Sequence, residues 1–325
     1  YKRQGLEGMR MGDLPADYRQ KGIAGCGPTP GVRAGVLRSE PMLERFSDKV
    51  KKGLRGWTER MAGEQQSDQL QALARTENEY GVDPFGFNLD YSLAAIAPFM
   101  WLYRHYFRVE AYGADRIPAG RVLLVSNHSG QLPLDGAMIG IALMVEGNPP
   151  RAIRSMVEKW VPSLPYVSTF MARVGQIVGT PENCRRLLEA EEAILVFPEG
   201  TRGLNKLWPQ RYQLQEFGLG FMRLALETNT PIVPIAVVGA EEQAPALMNL
   251  KPVAKLLGFP SFPITPTGTP FPLPTKYRIY FGDALHFTGR ADDEDSELDK
   301  KVRTVKASIQ AMLHQGLKER RGVFW

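Results

Sequence analysis

Of the four histidines in the chain, His128 stands where a catalytic imidazole would. It follows the apolar run Val122–Val125 on the polar turn Ser126-Asn127-His128-Ser129-Gly130. A run of β-formers stopped by turn residues reads as a buried strand that delivers His128 to its carboxyl end, the edge where open α/β sheets keep their ligands. Asp135 is the nearest carboxylate downstream. Pro133 cannot lie inside a continuous helix but fits its first position, so a new helix is expected to start there with Asp135 in its first turn. An unbroken helix would hold the two side chains ~10.5 Å apart along its axis, too far for a hydrogen bond. A loop over 129–132 can instead fold the carboxylate back to the ring. It would fix the tautomer, and His128 could take a proton from a hydroxyl or amine near neutral pH. On these residues alone, a turn histidine and a helix-start acid favoured by the dipole remain open readings.

A second constellation follows another apolar run, Ala193–Phe197, which ends in Pro198-Glu199-Gly200-Thr201-Arg202-Gly203. Glycines allow backbone N–H groups close to an anion, and the Arg202 guanidinium is a planar fork matched to phosphate or carboxylate. In isolation such a string is equally a surface turn with a salt bridge.

Taken together, the two turns resemble the glycerolphosphate and lysophospholipid acyltransferase family, which includes 1-acylglycerol-3-phosphate acyltransferases. Asn127-His128 with Asp135 is similar to its first motif, and Phe197–Arg202 to its Phe-Pro-Glu-Gly-Thr-Arg motif. Lys159–Pro165 and Gly175-Gln176-Ile177 resemble the segment between them, and Pro231–Ile235 the closing strand motif. The likeness spans roughly 113–240. It implies acyl transfer from acyl-CoA or acyl carrier protein to the hydroxyl of a lysophospholipid, with His128 and Asp135 catalytic. Asn127, Lys159, Glu199, Gly200, Thr201 and Arg202 would be substrate-binding, with Glu199 orienting the loop and substrate rather than acting as a base. No metal or resident cofactor is implied.

Two departures qualify the resemblance. Six residues rather than four separate His128 from Asp135, and Gly179-Thr180 stands where many relatives carry an Asp-Arg whose arginine helps hold the acceptor phosphate. Arg185, Arg186 or Lys206 could substitute. Otherwise the acceptor lacks a phosphate, being diacylglycerol, a long-chain alcohol or an amine, or the chain is a non-catalytic lipid-binding relative.

The elements that must position these residues alternate from Gly113 onward: strands at 121–126, 152–157, 175–178, 193–197, 232–238 and 277–281, with helices from Pro133 and at 181–192, 214–228 and 294–320. That alternation predicts an α/β fold, a largely parallel mixed sheet flanked by helices. Residues 1–40 read as a mobile leader, 41–110 as a membrane-facing helical segment and 111–325 as the acyltransferase domain. In the helical segment, Leu43, Phe46, Val50, Leu54, Trp57 and Met61 form the apolar face of a basic amphipathic helix. Residues 84–109 flank an apolar middle with aromatics and arginines, as an interfacial helix does. Residues 245–274 carry eight prolines and are expected to lack regular structure, their apolar side chains lining a lipid path or touching a bilayer.

Composition sets the outer bounds. With 325 residues, 43% of them hydrophobic, the chain can bury a full core. Forty Lys+Arg against 35 Asp+Glu give a net charge of +5, which suits an anionic partner such as a phospholipid surface. The basic residues interleave with acids without a nucleic-acid-binding module, so no nucleic acid is expected. Two cysteines make no disulfide framework, and no Cys/His cluster has zinc-ligand spacing. No Gly-x-Ser-x-Gly elbow of a serine hydrolase occurs. No secretory signal and no apolar run of ~20 residues is found, so the expected place is cytoplasmic, peripheral or monotopic at the inner face of a membrane.

Overall fold

The computed structural model describes residues 52–53, 56, 82–128, 134–157, 167–250, 252–253, 263–266 and 272–325. The leader, nearly all of the basic amphipathic helix and Lys159 lie outside the described residues.

The first described helix, α1 (Leu89–Trp101), opens on Asn88, whose side chain caps the Tyr91 N–H at 2.6 Å. It contains Pro98 and runs into a π-helical turn over Leu102–Tyr106. Strands β1 (Glu110–Tyr112), β2 (Val122–Ser126), β3 (Ile153–Val157) and β4 (Ile177–Val178) alternate with helices α2 (Leu134–Val145) and α3 (Val167–Arg173). There follow α4 (Pro181–Glu189), β5 (Ala193–Val196), the single turn α5 (Thr201–Leu204), α6 (Gly220–Glu227) and β6 (Ile232–Val238). The two-residue strands β7 (Met248–Asn249) and β8 (Pro263–Ile264), then β9 (Arg278–Phe281) and the long α7 (Asp295–Glu319), complete the order.

Seven strands form one sheet in the order β1-β9-β6-β2-β5-β3-β4, parallel throughout except where β9 meets β6. This is the mixed, largely parallel sheet the alternation predicts. Both faces are covered, which is why β2 and β6 read as continuous apolar runs. Side chains alternate across the sheet: Leu124, Leu195 and Val233 join one core with Met138, Ile139, Met100, Tyr103 and Phe107 from α2, α1 and the turns after it. Leu123, Val125 and Ile194 join the other, beneath Leu187 of α4, Met222 of α6 and Val302, Val305 and Ile309 of α7.

The aromatic segment at 84–109 therefore packs one face on the sheet, through Ala94, Ala97, Met100, Tyr103 and Phe107. Trp101, at 46% exposure, faces outward with Arg104 and His105. The proline-rich stretch is not wholly irregular, because Met248 pairs with Ile264 and Asn249 with Pro263 in a short antiparallel ladder. A ladder of two residues leaves proline's missing donor on an edge, where it is tolerated. The edge strand β1 goes unannounced in the sequence, since its three residues are only partly buried and carry no apolar run. No described helix is long and apolar enough to cross a membrane.

Candidate active site

Because β2 and β5 are parallel neighbours, with Val125 beside Val196, the turns that follow them emerge side by side. This adjacency brings the two sequence constellations together. Asn127 ends β2 by continuing its ladder with a side chain: its Nδ2 donates to the Val237 carbonyl at 3.2 Å, and its Oδ1 accepts the Val237 N–H at 2.8 Å. Asn127 is fully buried, so both polar ends need partners, and the amide supplies the same donor and acceptor pair as a peptide group. Its geometry makes it a splint of the strand end.

His128 follows, 8% exposed, and its Nδ1 lies 2.8 Å from Asp135 Oδ2. Helix α2 starts at Leu134, so the carboxylate sits in the first turn and the longer spacing closes without an unbroken helix. Residues 129–133, which make the connection, lie outside the described residues. Asp135 is completely buried, and its Oδ1 also accepts the Gly136 N–H at 2.8 Å. An ionised carboxylate only accepts, so it selects the tautomer with hydrogen on Nδ1 and leaves the Nε2 lone pair for a proton. No partner for Nε2 is found among the described residues. The imidazole stacks on Phe197, ring centroids 4.0 Å apart. Behind the dyad lies Tyr277, fully buried, whose hydroxyl donates to Gln243 Oε1 at 2.6 Å. Burial, then the Asp135 charge, hold that hydroxyl well above the ordinary tyrosine range.

Glu199 joins the second turn to the first. Its Oε1 accepts the His128 backbone N–H at 3.0 Å, while Oε2 accepts the Gln215 N–H at 2.8 Å and lies 3.4 Å from Lys206 Nζ. Both oxygens are thus engaged inside the protein, and the side chain is 0% exposed. Through Oε1, Glu199 grips the histidine's backbone. Gly200 makes the turn at φ 54, ψ −144, a conformation that favours glycine. Its N–H is turned inward to the Phe197 carbonyl at 3.0 Å rather than toward an anion. Thr201 opens α5 and is partly buried. Arg202 is exposed and bonded to Glu216 at 3.0 Å, an ion pair of the weakly held surface kind.

The substitutes for the absent phosphate-binding arginine fare unequally. Arg185 bridges Glu182 and Glu227, and Lys206 is buried between Glu199 and Glu241, 2.8 Å from the latter. Both cations are therefore paired with carboxylates, and the Lys206 side chain is only 4% exposed. Arg186 sits over the Phe85 ring at 6.0 Å. Sequence reasoning missed three contributors. Gly203 packs so tightly that a Cβ there would lie 2.9 Å from His128 Cβ. Glu241 and Tyr212 lie behind Lys206, joined through the Tyr212 N–H and Glu241 Oε2 at 2.8 Å. The second glycine of the turn and the pair of acids just after β6 were the available signals. Among the described residues no group of three His, Cys, Asp or Glu is arranged to hold a metal ion.

An oriented imidazole and an exposed guanidinium thus stand on adjoining turns of a parallel sheet. The family model described as Acyltransferase matches residues 108–238. An uncharacterised protein of Mycobacterium leprae is 38% identical over 263 residues, covering 77% of this chain and 72% of that protein. A probable 1-acyl-sn-glycerol-3-phosphate acyltransferase of Mycoplasma pneumoniae is 28% identical over 149 residues, 43% of this chain and 53% of that one. The crystal structure of the 1-acyl-sn-glycerophosphate acyltransferase of Thermotoga maritima overlays with a TM-score of 0.45 at 14% identity, covering 86% of this chain and 100% of that one. The chain belongs to the glycerolphosphate and lysophospholipid acyltransferase family and is an O-acyltransferase.

Proposed function

We propose that the protein moves a fatty acyl group from a thioester, acyl-CoA or acyl carrier protein, to the hydroxyl of a lysophosphatidate-like acceptor at the cytoplasmic face of a membrane. The observation that carries this reading is the 2.8 Å contact between His128 Nδ1 and Asp135, which leaves Nε2 for the reacting hydroxyl. Nε2 takes the hydroxyl proton as the oxygen attacks the thioester carbonyl, and Asp135 stabilises the imidazolium that forms. Collapse of the tetrahedral intermediate breaks the C–S bond, and the same proton passes to the departing thiolate. The ester and the free thiol leave, and the imidazole returns to its starting tautomer.

Arg202 receives the acceptor's phosphate, exchanging its exposed partner Glu216 for a bidentate anion. Thr201 completes the polar end of that subsite. A membrane surface is supported by the outward Trp101, Arg104 and His105 on the amino-terminal face. A second reading, transfer to diacylglycerol, a long-chain alcohol or an amine, is favoured by one observation: Arg185 and Lys206 are already paired with carboxylates, leaving fewer cations for a phosphate.

Purified protein is incubated with labelled acyl-CoA or acyl carrier protein and each acceptor in turn. The principal reading expects a phosphatidate product that Arg202→Met suppresses. Product on an uncharged acceptor alone selects the second reading, and release of free fatty acid or no product with any acceptor overturns both.

A further inference from the structure

We infer that Lys206 is a positioning residue for the transfer reaction: its ammonium, fixed between Glu199 and Glu241, holds the Glu199 carboxylate that grips the His128 backbone. The inference rests on the reading of His128 as the base. Lys206 comes from the segment after α5 and Glu241 from the loop after β6, so the link also ties the second turn to the centre of the sheet. Its contacts run in series. Glu241 Oε2 accepts the Tyr212 N–H at 2.8 Å, Oε1 accepts from Lys206 at 2.8 Å, and Lys206 lies 3.4 Å from the Glu199 oxygen that also holds the Gln215 N–H. The other Glu199 oxygen takes the His128 N–H at 3.0 Å.

The chemistry of Glu199 explains why a cation belongs beside it. Its two oxygens face two backbone donors, a demand that an ionised carboxylate meets and a carboxylic acid or amide, with one end a donor, cannot meet fully. A buried carboxylate stays charged only beside compensating charge, and Lys206 is the cation in contact with it among the described residues. Side-chain exposures of 0% for Glu199, 4% for Lys206 and 5% for Glu241 exclude an incidental surface pair. A buried ion pair contributes little net stability, whereas two carboxylates aimed at one lysine fix the separation of two loops. One of them, through Glu199, grips the backbone of the reacting histidine. Three further bonds anchor the far end: the Tyr212 hydroxyl accepts the Gly239 N–H at 2.8 Å and donates to Glu242, and Arg320 holds Glu242 at 2.6 Å.

The test compares full-length Lys206→Met, Lys206→Gln and His128→Ala with the parent in steady-state acyl transfer, each checked for folding by circular dichroism and melting. Lys206→Met is expected to lower kcat about 10- to 100-fold, the scale of an ångström-sized misplacement, with KM for donor and acceptor within about twofold. Lys206→Gln, which keeps a donor within reach of the carboxylates, is expected to recover part of that kcat and decides the matter if the methionine variant does not fold. Folded variants with kcat near the parent, or a loss expressed in KM, overturn the inference. A loss that only follows the unfolded fraction does so as well. If His128→Ala remains active, the underlying mechanism fails; if it is inactive while the Lys206 variants are not, only the positioning role fails.

Discussion

Gly203→Ala is a one-carbon change that presses directly on the proposed base. The added Cβ would lie 2.9 Å from His128 Cβ, 3.0 Å from Glu199 Cβ and 3.0 Å from the His128 carbonyl oxygen. Ordinary contacts between such atoms begin near ~3.5 Å, so α5 and the histidine turn must separate by about 0.5 Å. None of the three atoms is the free end of a flexible side chain, and His128 is held on its other side by Phe197 and Asp135. The strain therefore falls on the 3.0 Å bond between the His128 N–H and Glu199. Overpacking of this kind costs about 1–3 kcal/mol, a melting shift of a few degrees in a chain of this size. The displacement at the imidazole, however, is expected to reduce kcat by about 10- to 100-fold. Initial rates at saturating donor and acceptor, beside a thermal melt, measure both effects. A variant with a rate within threefold of the parent would show that the two turns are not mechanically coupled.

Other perturbations test separate links. Asp135→Asn keeps the shape but no longer dictates hydrogen on Nδ1; kcat is expected to fall at least ~100-fold with little change in KM, measured in the same assay. Asn127→Ala removes both bonds to Val237 and leaves a buried N–H and carbonyl unpaired; urea denaturation should register a loss of about 2–4 kcal/mol. Burial pushes the Glu241 carboxyl up from 4.5 to about 6, against the neighbouring Lys206. The folded state therefore binds the extra proton, so this stabilising contribution is complete below about pH 4.5 and fades as pH rises through about 6. Its size is about 2 kcal/mol, and subtracting the Glu241→Gln stability curve from the parent's should reveal that slope; a flat difference would contradict it.

The central strands were legible because β2, β5 and β6 are buried on both faces and so must be apolar along their length. The two polar turns stood out for the same reason, as abrupt departures from those runs. Less could be read where pairing spans great sequence distance. Asn127 and Val237 are separated by 110 positions, and Lys206 and Glu241 by 35, so no local pattern announces that one holds the other. Lys206 is one such case: read from the sequence as a candidate substitute for the phosphate-binding arginine, it lies between two carboxylates, Glu199 and Glu241, that no local pattern announces. The partner of Glu199, the His128 backbone N–H, carries no side-chain signature. The edge strand β1 and the ladder of β7 with β8 are short, and their residues answer to neighbours rather than to any periodicity of their own.

The most direct test of the account is a rapid-quench measurement of ester formation by the parent and His128→Ala, with labelled acyl thioester and lysophosphatidate at saturating concentrations. The account predicts that the alanine variant, folded by circular dichroism, forms ester at least ~100-fold more slowly. Ester appearing within a few-fold of the parent rate would contradict it and move the proton acceptor elsewhere.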